Sequence, residues 1–140
     1  MNAGKAFFDT NVLLYMYSSA DAGKQLRARE LYRDYSAMGR VVVSTQVVQE
    51  FFVAALRKLA LPRQFVREII TALLDSNLII VESLQIRTAM DLEERYGISF
   101  WDALVIAAAQ SAGAEVLFTE DLNDGQCYGS VVAQNPFRQR

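Results

Sequence analysis

The chain has 140 residues, 52% of them apolar and 21% charged, a balance that suits one globular domain over residues 1–140 and excludes a disordered or fibrous polypeptide. It has no histidine, which removes Ser-His-Asp and Cys-His triads, histidine acid–base pairs and most zinc sites; its one cysteine, Cys127, excludes an intrachain disulfide. A net charge of −2 and a pI near 5.1 exclude a generally basic nucleic-acid coat protein, so any nucleic-acid contact must rely on local cations and bound metal.

In chain order, the first element is a short apolar strand, Lys5 to Phe8, which stops at Asp9. Thr10 to Tyr17 follows as a short helix begun by Asp9 or Thr10. Asp21 to Met38 has helical periodicity, with Leu26, Leu31, Tyr32 and Tyr35 near one face and Gly39 as its end. Arg40 to Ser44 carries the β-branched run Val41-Val42-Val43, a second strand. Ser44 or Thr45 then caps a helix to Leu59. Pro62 suits the first turn of a helix reaching about Asp75.

Leu78 to Val81 is a third strand. Ser83 to Tyr96 is a helix stopped by Gly97, and Ser99 to Ala112 is another, ending at Gly113. Val116 to Phe118 and Val131 to Ala133 complete five strands, with Asn123-Asp124-Gly125 a loop between them. Short apolar strands alternating with helices predict an α/β fold, a three-layer α/β/α sandwich around a parallel sheet. No apolar run approaches the ~20 residues that span a bilayer, and Met1 to Asp9 lacks the layout of a secretory signal. A soluble protein of the cytoplasm is expected, with Cys127 a buried or partly buried inert thiol.

With histidine absent, carboxylates and a hard divalent cation are the remaining catalytic kit. Ligands of open parallel sheets bind at the carboxyl ends of the strands. Asp9 ends the first strand, Asp121 follows the fourth, Glu50 lies in the second turn of the helix after strand two, and Asp102 lies near the start of the helix before strand four. After Asp102 the run Ala103 to Ala109 is apolar without a break, so this helix is expected to be buried all round, with Asp102 at the core or its rim. Glu50 shares a helical face with Val47, Phe51 and Ala54 and is expected to point toward packed surface. Two unit charges ~5 Å apart repel by roughly 3 kcal/mol at an effective dielectric of 20. A divalent ion relieves that repulsion, lowers the pKa of bound water and neutralises phosphate charge.

Each acid also has a plainer explanation. Asp9 and Asp102 fit equally well as helix caps, Glu50 as an ion-pair partner of Arg57, and Asp121 as a loop acid. Glu120 and Asp124 read as solvated loop acids, although both lie close enough in sequence to replace or assist Asp121. Trp101 fits core or rim packing better than a base-stacking platform. Arg57 and Lys58, with Arg63 and Arg67, fit a solvated helix face better than a phosphate-binding patch.

The segment Phe7-Phe8-Asp9-Thr10-Asn11-Val12-Leu13-Leu14-Tyr15 resembles the opening motif of PIN-domain proteins, especially VapC-type toxins of bacterial toxin–antitoxin pairs. Ser44 to Phe51, Ser99 to Ala109, and Leu117 to Asn123 with Asn135-Pro136-Phe137 resemble that family's later motifs, in the same order. The Asp-Thr-Asn opening alone is weak, whereas the four segments together are specific. The resemblance implies an Mg²⁺- or Mn²⁺-dependent endoribonuclease acting on RNA. It carries an acidic quartet onto Asp9, Glu50, Asp102 and Asp121, with Asn11 and Thr119 as supporting polar residues. It also implies a homodimer and a cognate antitoxin whose C-terminal segment covers the active site. A phosphatase of the haloacid-dehalogenase type needs Asp-x-Asp after strand one, where this chain has Asp9-Thr10-Asn11. A receiver domain is disfavoured because strand three leads to Glu82 and no Lys follows the later strands. The remaining alternative is a non-catalytic RNA- or partner-binding domain whose acids are caps.

Overall fold

A computed structural model describes residues 4–138; Met1 to Ala3, Gln139 and Arg140 lie outside the described residues. The elements are β1 (Ala6–Phe8), α1 (Thr10–Tyr15), α2 (Ala22–Ala37), β2 (Val41–Ser44), α3 (Thr45–Arg57), α4 (Arg63–Leu74), β3 (Asn77–Ile79), α5 (Ser83–Tyr96), α6 (Phe100–Ser111), β4 (Val116–Phe118), β5 (Cys127–Tyr128) and β6 (Val131–Gln134). They form one sheet in the order β3-β2-β1-β4-β6-β5. Neighbours pair in parallel except β5 with β6, which run antiparallel. The α/β/α expectation holds, with two adjustments to the strands. The third strand is Asn77–Ile79, so Ile80 and Val81 lie beyond it. A short antiparallel strand, β5, was not expected; two residues carry too little periodicity to announce a strand.

The chain leaves β1 in one direction, through β2 to β3, then crosses to β4 and β6 on the other side. Right-handed crossovers therefore place α1 to α4 on one face of the sheet and α5 and α6 on the opposite face. The order reverses between β1 and β4, and the carboxyl ends of those two strands open a crevice at that point.

Burial follows the sheet. All three residues of β1, Ala6, Phe7 and Phe8, are fully buried, as a central strand covered on both faces requires. Phe8 makes edge-to-face contacts with Tyr32 and Tyr35 of α2, at ring-centroid distances of 5.5 and 6.0 Å. On α6, every residue from Ala103 to Ala109 is buried, which matches the unbroken apolar run. Gly97, in the left-handed region at φ 64°, ends α5 and frees the chain to turn into α6. Cys127 corrects its expectation: it is exposed and unpaired while Tyr128 is buried, because an edge strand turns alternate residues to opposite sides. No described helix is long and apolar enough to cross a membrane.

Candidate active site

At the carboxyl ends of β1 and β4 lies a cavity of about 660 Å³. Its lining includes Asp9, Asn11, Glu50, Asp102 and Asp121, so the four sequence-predicted acids converge on one space from four separate elements. They do not form a finished ligand cage. Among the described residues no three Asp, Glu, His or Cys side chains are gathered closely enough to hold a metal ion as they stand.

Asp9 follows β1 directly and caps α1. Its Oδ1 accepts the Thr10 N–H at 2.8 Å and its Oδ2 accepts the Thr119 hydroxyl at 2.8 Å. The Thr119 Oγ1 in turn accepts the Asp121 N–H at 3.1 Å. On the other side the Thr10 hydroxyl donates to Glu50 Oε1 at 2.8 Å. Two threonines thus string three of the four acids into one hydrogen-bonded chain, from α3 through the end of β1 to the loop after β4. Asp9 caps the helix start with one carboxylate oxygen, and the residue also lines the cavity, so the cap does not take it out of the site. Thr119 takes the supporting place expected of it, fully buried behind Asp9.

Asp102 arrives from the opposite face of the sheet. It is not the cap of α6: Ser99 is, its hydroxyl accepting the Asp102 N–H at 3.1 Å. That leaves the Asp102 side chain in the first turn, where the positive end of the helix dipole favours a carboxylate. Glu50 corrects its expectation, for it is exposed rather than packed. Val47 and Phe51 bury the neighbouring face of α3, but the cavity takes away the surface that Glu50 would have packed against. Its alternative partner, Arg57, makes no salt bridge with it; none of the four acids is in a salt bridge among the described residues.

The acids feel one another. Burial pushes the Asp9 carboxyl up from 3.8 to about 6, against the pull of its Thr119 and Thr10 hydrogen bonds, and the charges of Asp121 and Glu50 add to the rise. Asp121 is also raised, first by burial and then by Asp102, Glu120 and Glu50. The two loop acids that stood as substitutes for Asp121 are engaged elsewhere. Glu120 Oε2 accepts from Lys24 Nζ at 2.6 Å, and Asp124 accepts the Asn135 N–H at 2.8 Å while lying 3.6 Å from Arg138.

Several lining residues were not assigned to the site from sequence. Thr10 immediately follows Asp9, but nothing local announces that its hydroxyl reaches α3. Gln46 lines the cavity, donates to the Trp101 carbonyl at 3.3 Å, and leaves its own Oε1 buried without a hydrogen-bond partner. Arg57 and Lys58 also line the cavity, whereas Arg63 and Arg67 do not. Trp101 stands 63% exposed at the rim, so core packing is ruled out for it.

The PIN-domain family model matches residues 6–123, which carry all of these acids. The chain belongs to the PIN-domain family. Solved structures with the same fold include a toxin–antitoxin complex from Klebsiella pneumoniae, at 23% identity and a TM-score of 0.71, covering 94% of this chain and 98% of that one. VapC20 from Mycobacterium tuberculosis, described as a sarcin–ricin-loop-cleaving toxin, is similar at 19% identity and a TM-score of 0.66, over 84% of this chain and 90% of its own. DNA-bound VapBC from Salmonella typhimurium is similar at 15% identity and a TM-score of 0.66, over 94% and 97%. At these identities the likeness establishes the PIN fold. Comparison with curated protein sequences gives no match.

The donor chemistry of this PIN site fits a hard divalent cation. It offers four carboxylates, no nitrogen or sulfur ligand, and no lysine or arginine paired with any of the four among the described residues. A cation entering the cavity would offset the burial that chiefly raises Asp9 and Asp121, and the mutual repulsion that adds to it.

Proposed function

We propose that this PIN domain, read as one unit over residues 1–140, is a divalent-metal-dependent endoribonuclease that hydrolyses RNA phosphodiester bonds in the cytoplasm. The observation that carries this reading is the convergence of Asp9, Glu50, Asp102 and Asp121 on one cavity with no cation paired to them among the described residues. These four would hold Mg²⁺ or Mn²⁺, which when bound supplies charge neutralisation at the phosphate and activation of a water molecule.

The protein's own groups divide the remaining work. The Thr10 amide and Thr119 hydroxyl hold Asp9 in one orientation at the cavity wall. Thr10 holds Glu50 by one oxygen and leaves the other available. Whichever of the four the ion leaves free, Asp121 at the exposed end of the cavity for one, would accept a proton from the attacking water. Asn11 supplies a neutral polar group at the same wall. The similarity to toxin–antitoxin structures supports a toxin role with an antitoxin partner; to this we add, as part of the same proposal, a homodimer and an antitoxin segment that covers the cavity.

A non-catalytic binding domain is the second reading, favoured by the spread of the acids in this conformation. The test is to incubate the purified chain with total bacterial RNA, with Mn²⁺ or EDTA, beside Asp9→Asn. Discrete fragments that need Mn²⁺ and vanish in the variant are expected. Undigested RNA in every lane, together with no Mn²⁺-induced thermal stabilisation, would leave only the binding reading.

A further inference from the structure

The acids are held in place in different ways. Asp9 accepts hydrogen bonds on both carboxylate oxygens, and Glu50 accepts one from Thr10. Asp102 is held through its backbone. The peptide unit between Trp101 and Asp102 is gripped at both poles: its N–H donates to Ser99 Oγ at 3.1 Å, and its carbonyl accepts from Gln46 Nε2 at 3.3 Å. A peptide unit is planar, so fixing both poles fixes the plane from which Asp102 projects. Ser99 is the cap of α6 itself. Gln46 comes from the first turn of α3, whose start is tied down by Ser44 Oγ accepting the Val47 N–H at 3.3 Å. Among the described residues this is the one hydrogen bond between α3 and α6. Gln46 also precedes Glu50 by four residues, one turn earlier on the same side of α3. One side chain thus sets the turn that carries Asp102 against the helix that carries Glu50.

Packing does not explain a glutamine at this place. Gln46 is only 8% exposed, and its Oε1 is buried with no hydrogen-bond partner among the described residues. A buried acceptor left unpaired loses its bonds to water and gains none. The single bond made by Nε2 is long for an amide donor and offsets that loss only in part. Methionine has the same length, suits a helix as well and would bury no such atom. Local rules of this kind are broken most often where function requires it. We propose that Gln46 is a positioning residue of the acidic centre, which holds Asp102 in place to complete the binding of a divalent ion by Asp9, Glu50 and Asp121. The inference rests on the metal-dependent reading and deepens it by naming a residue outside the quartet that sets the affinity for the ion. The carboxamide acts through the Trp101–Asp102 peptide unit and not as a ligand. Without it, the first turn of α6 is held by its own cap alone, and an ion binding a freer Asp102 must also restrict it, which lowers affinity.

Mn²⁺ is titrated into the unmodified chain, Gln46→Met and Gln49→Met, with the free ion read from its electron paramagnetic resonance signal. Gln49 is an exposed residue of α3 that lines the same cavity, so its substitution makes the same chemical change without removing the bond to α6. Gln46→Met should raise the Kd for Mn²⁺ about ten-fold, and Gln49→Met should leave it unchanged. In EDTA, Gln46→Met should melt no lower than the unmodified chain, whereas loss of a residue that served only the fold would lower the melting temperature. In an Asp102→Asn background, adding Gln46→Met should weaken Mn²⁺ binding no further, because the effect passes through Asp102. An unchanged Kd in Gln46→Met, an equal loss in Gln49→Met, a further loss in the double variant, or a melting temperature in EDTA that falls together with the affinity would each overturn the assignment. Failure of the unmodified chain to bind Mn²⁺ would overturn it together with the metal-dependent reading. Metal-dependent cleavage by the unmodified chain, with an unchanged Kd in Gln46→Met, removes the inference and leaves the ribonuclease reading intact. The expected loss of affinity in a chain that binds Mn²⁺ but cleaves no RNA does the reverse.

Discussion

Glu120 and Asp121 are adjacent in the chain and sit in opposite electrostatic settings. Glu120 faces α1 and α2, where Lys24 Nζ lies 2.6 Å away and also stands over the rings of Tyr15 and Phe137, at 4.8 and 5.3 Å from their centroids. Asp121 lines the cavity, with Asp102, Glu120 and Glu50 as its charged neighbours and no cation in a salt bridge with it among the described residues. One side of the loop is neutralised by the protein itself. The other is left negative, held by neutral threonine hydroxyls and amides. Glu120 has its counter-charge within the fold, whereas none of the four cavity acids is in a salt bridge among the described residues, which is the arrangement expected if their counter-charge comes from outside.

The sharpest way to break this comparison is to remove the charge on Asp9. Its folded pKa of about 6 lies above the unfolded 3.8, so the folded state holds the extra proton. Its contribution to stability is complete below about 3.8 and is lost as pH rises through about 6, a difference of about 3 kcal/mol. In EDTA, Asp9→Asn should therefore gain on the unmodified chain by up to about 3 kcal/mol between pH 4 and about 7. Urea unfolding at several pH values measures the gap. A gap that does not change with pH would mean that the buried carboxylate is already compensated.

Next in size is the response to Mn²⁺. At about a hundred times its Kd an ion that binds only the folded chain adds about 2.7 kcal/mol. Asp102→Asn should lose most of that stabilisation while melting higher than the unmodified chain in EDTA. Ser99 caps α6 in its place, so no cap is lost. Equal Mn²⁺ shifts in both proteins would remove Asp102 from the cluster. Ser99→Ala, in contrast, should cost about 1 kcal/mol of stability and weaken the Mn²⁺ response indirectly, because it frees the turn that carries Asp102; parallel thermal melts with and without the ion separate the two effects. The smallest change is expected for Lys24→Met. The pair with Glu120 is partly exposed, so its loss should cost less than about 1 kcal/mol. It would add an uncompensated carboxylate beside Asp121, and an unchanged melting temperature at low salt would show the tether to be idle.

Much of the site was legible because its residues sit at element boundaries. Asp9 ends an apolar strand, and Asp102 precedes seven apolar residues, a run that demanded burial and received it. Glu50 was misjudged, while Trp101 took the rim place that was one of its two expectations. Helical periodicity reports which face of a helix turns toward the protein, and a concave cavity on that side leaves such residues open. Arg57 and Lys58 are exposed, as a solvated helix face requires, and also line the cavity, since a basic pair at a helix end looks the same in sequence whether or not a cavity lies beneath it.

The sequence by itself determined the alternation of strands and helices, the burial of α6, and that Asp9, Glu50 and Asp102 fall at the carboxyl ends of the sheet or beside them, because these follow from local periodicity and caps. Only the tertiary structure decided that β5 turns back antiparallel, that Ser99 rather than Asp102 caps α6, and that Asp121 rather than Glu120 lines the cavity. Two neighbouring loop acids are indistinguishable to any local rule. What separates them is a lysine 96 residues away and a threonine hydroxyl shared with Asp9, contacts between segments 110 residues apart that exist only once the sheet has formed.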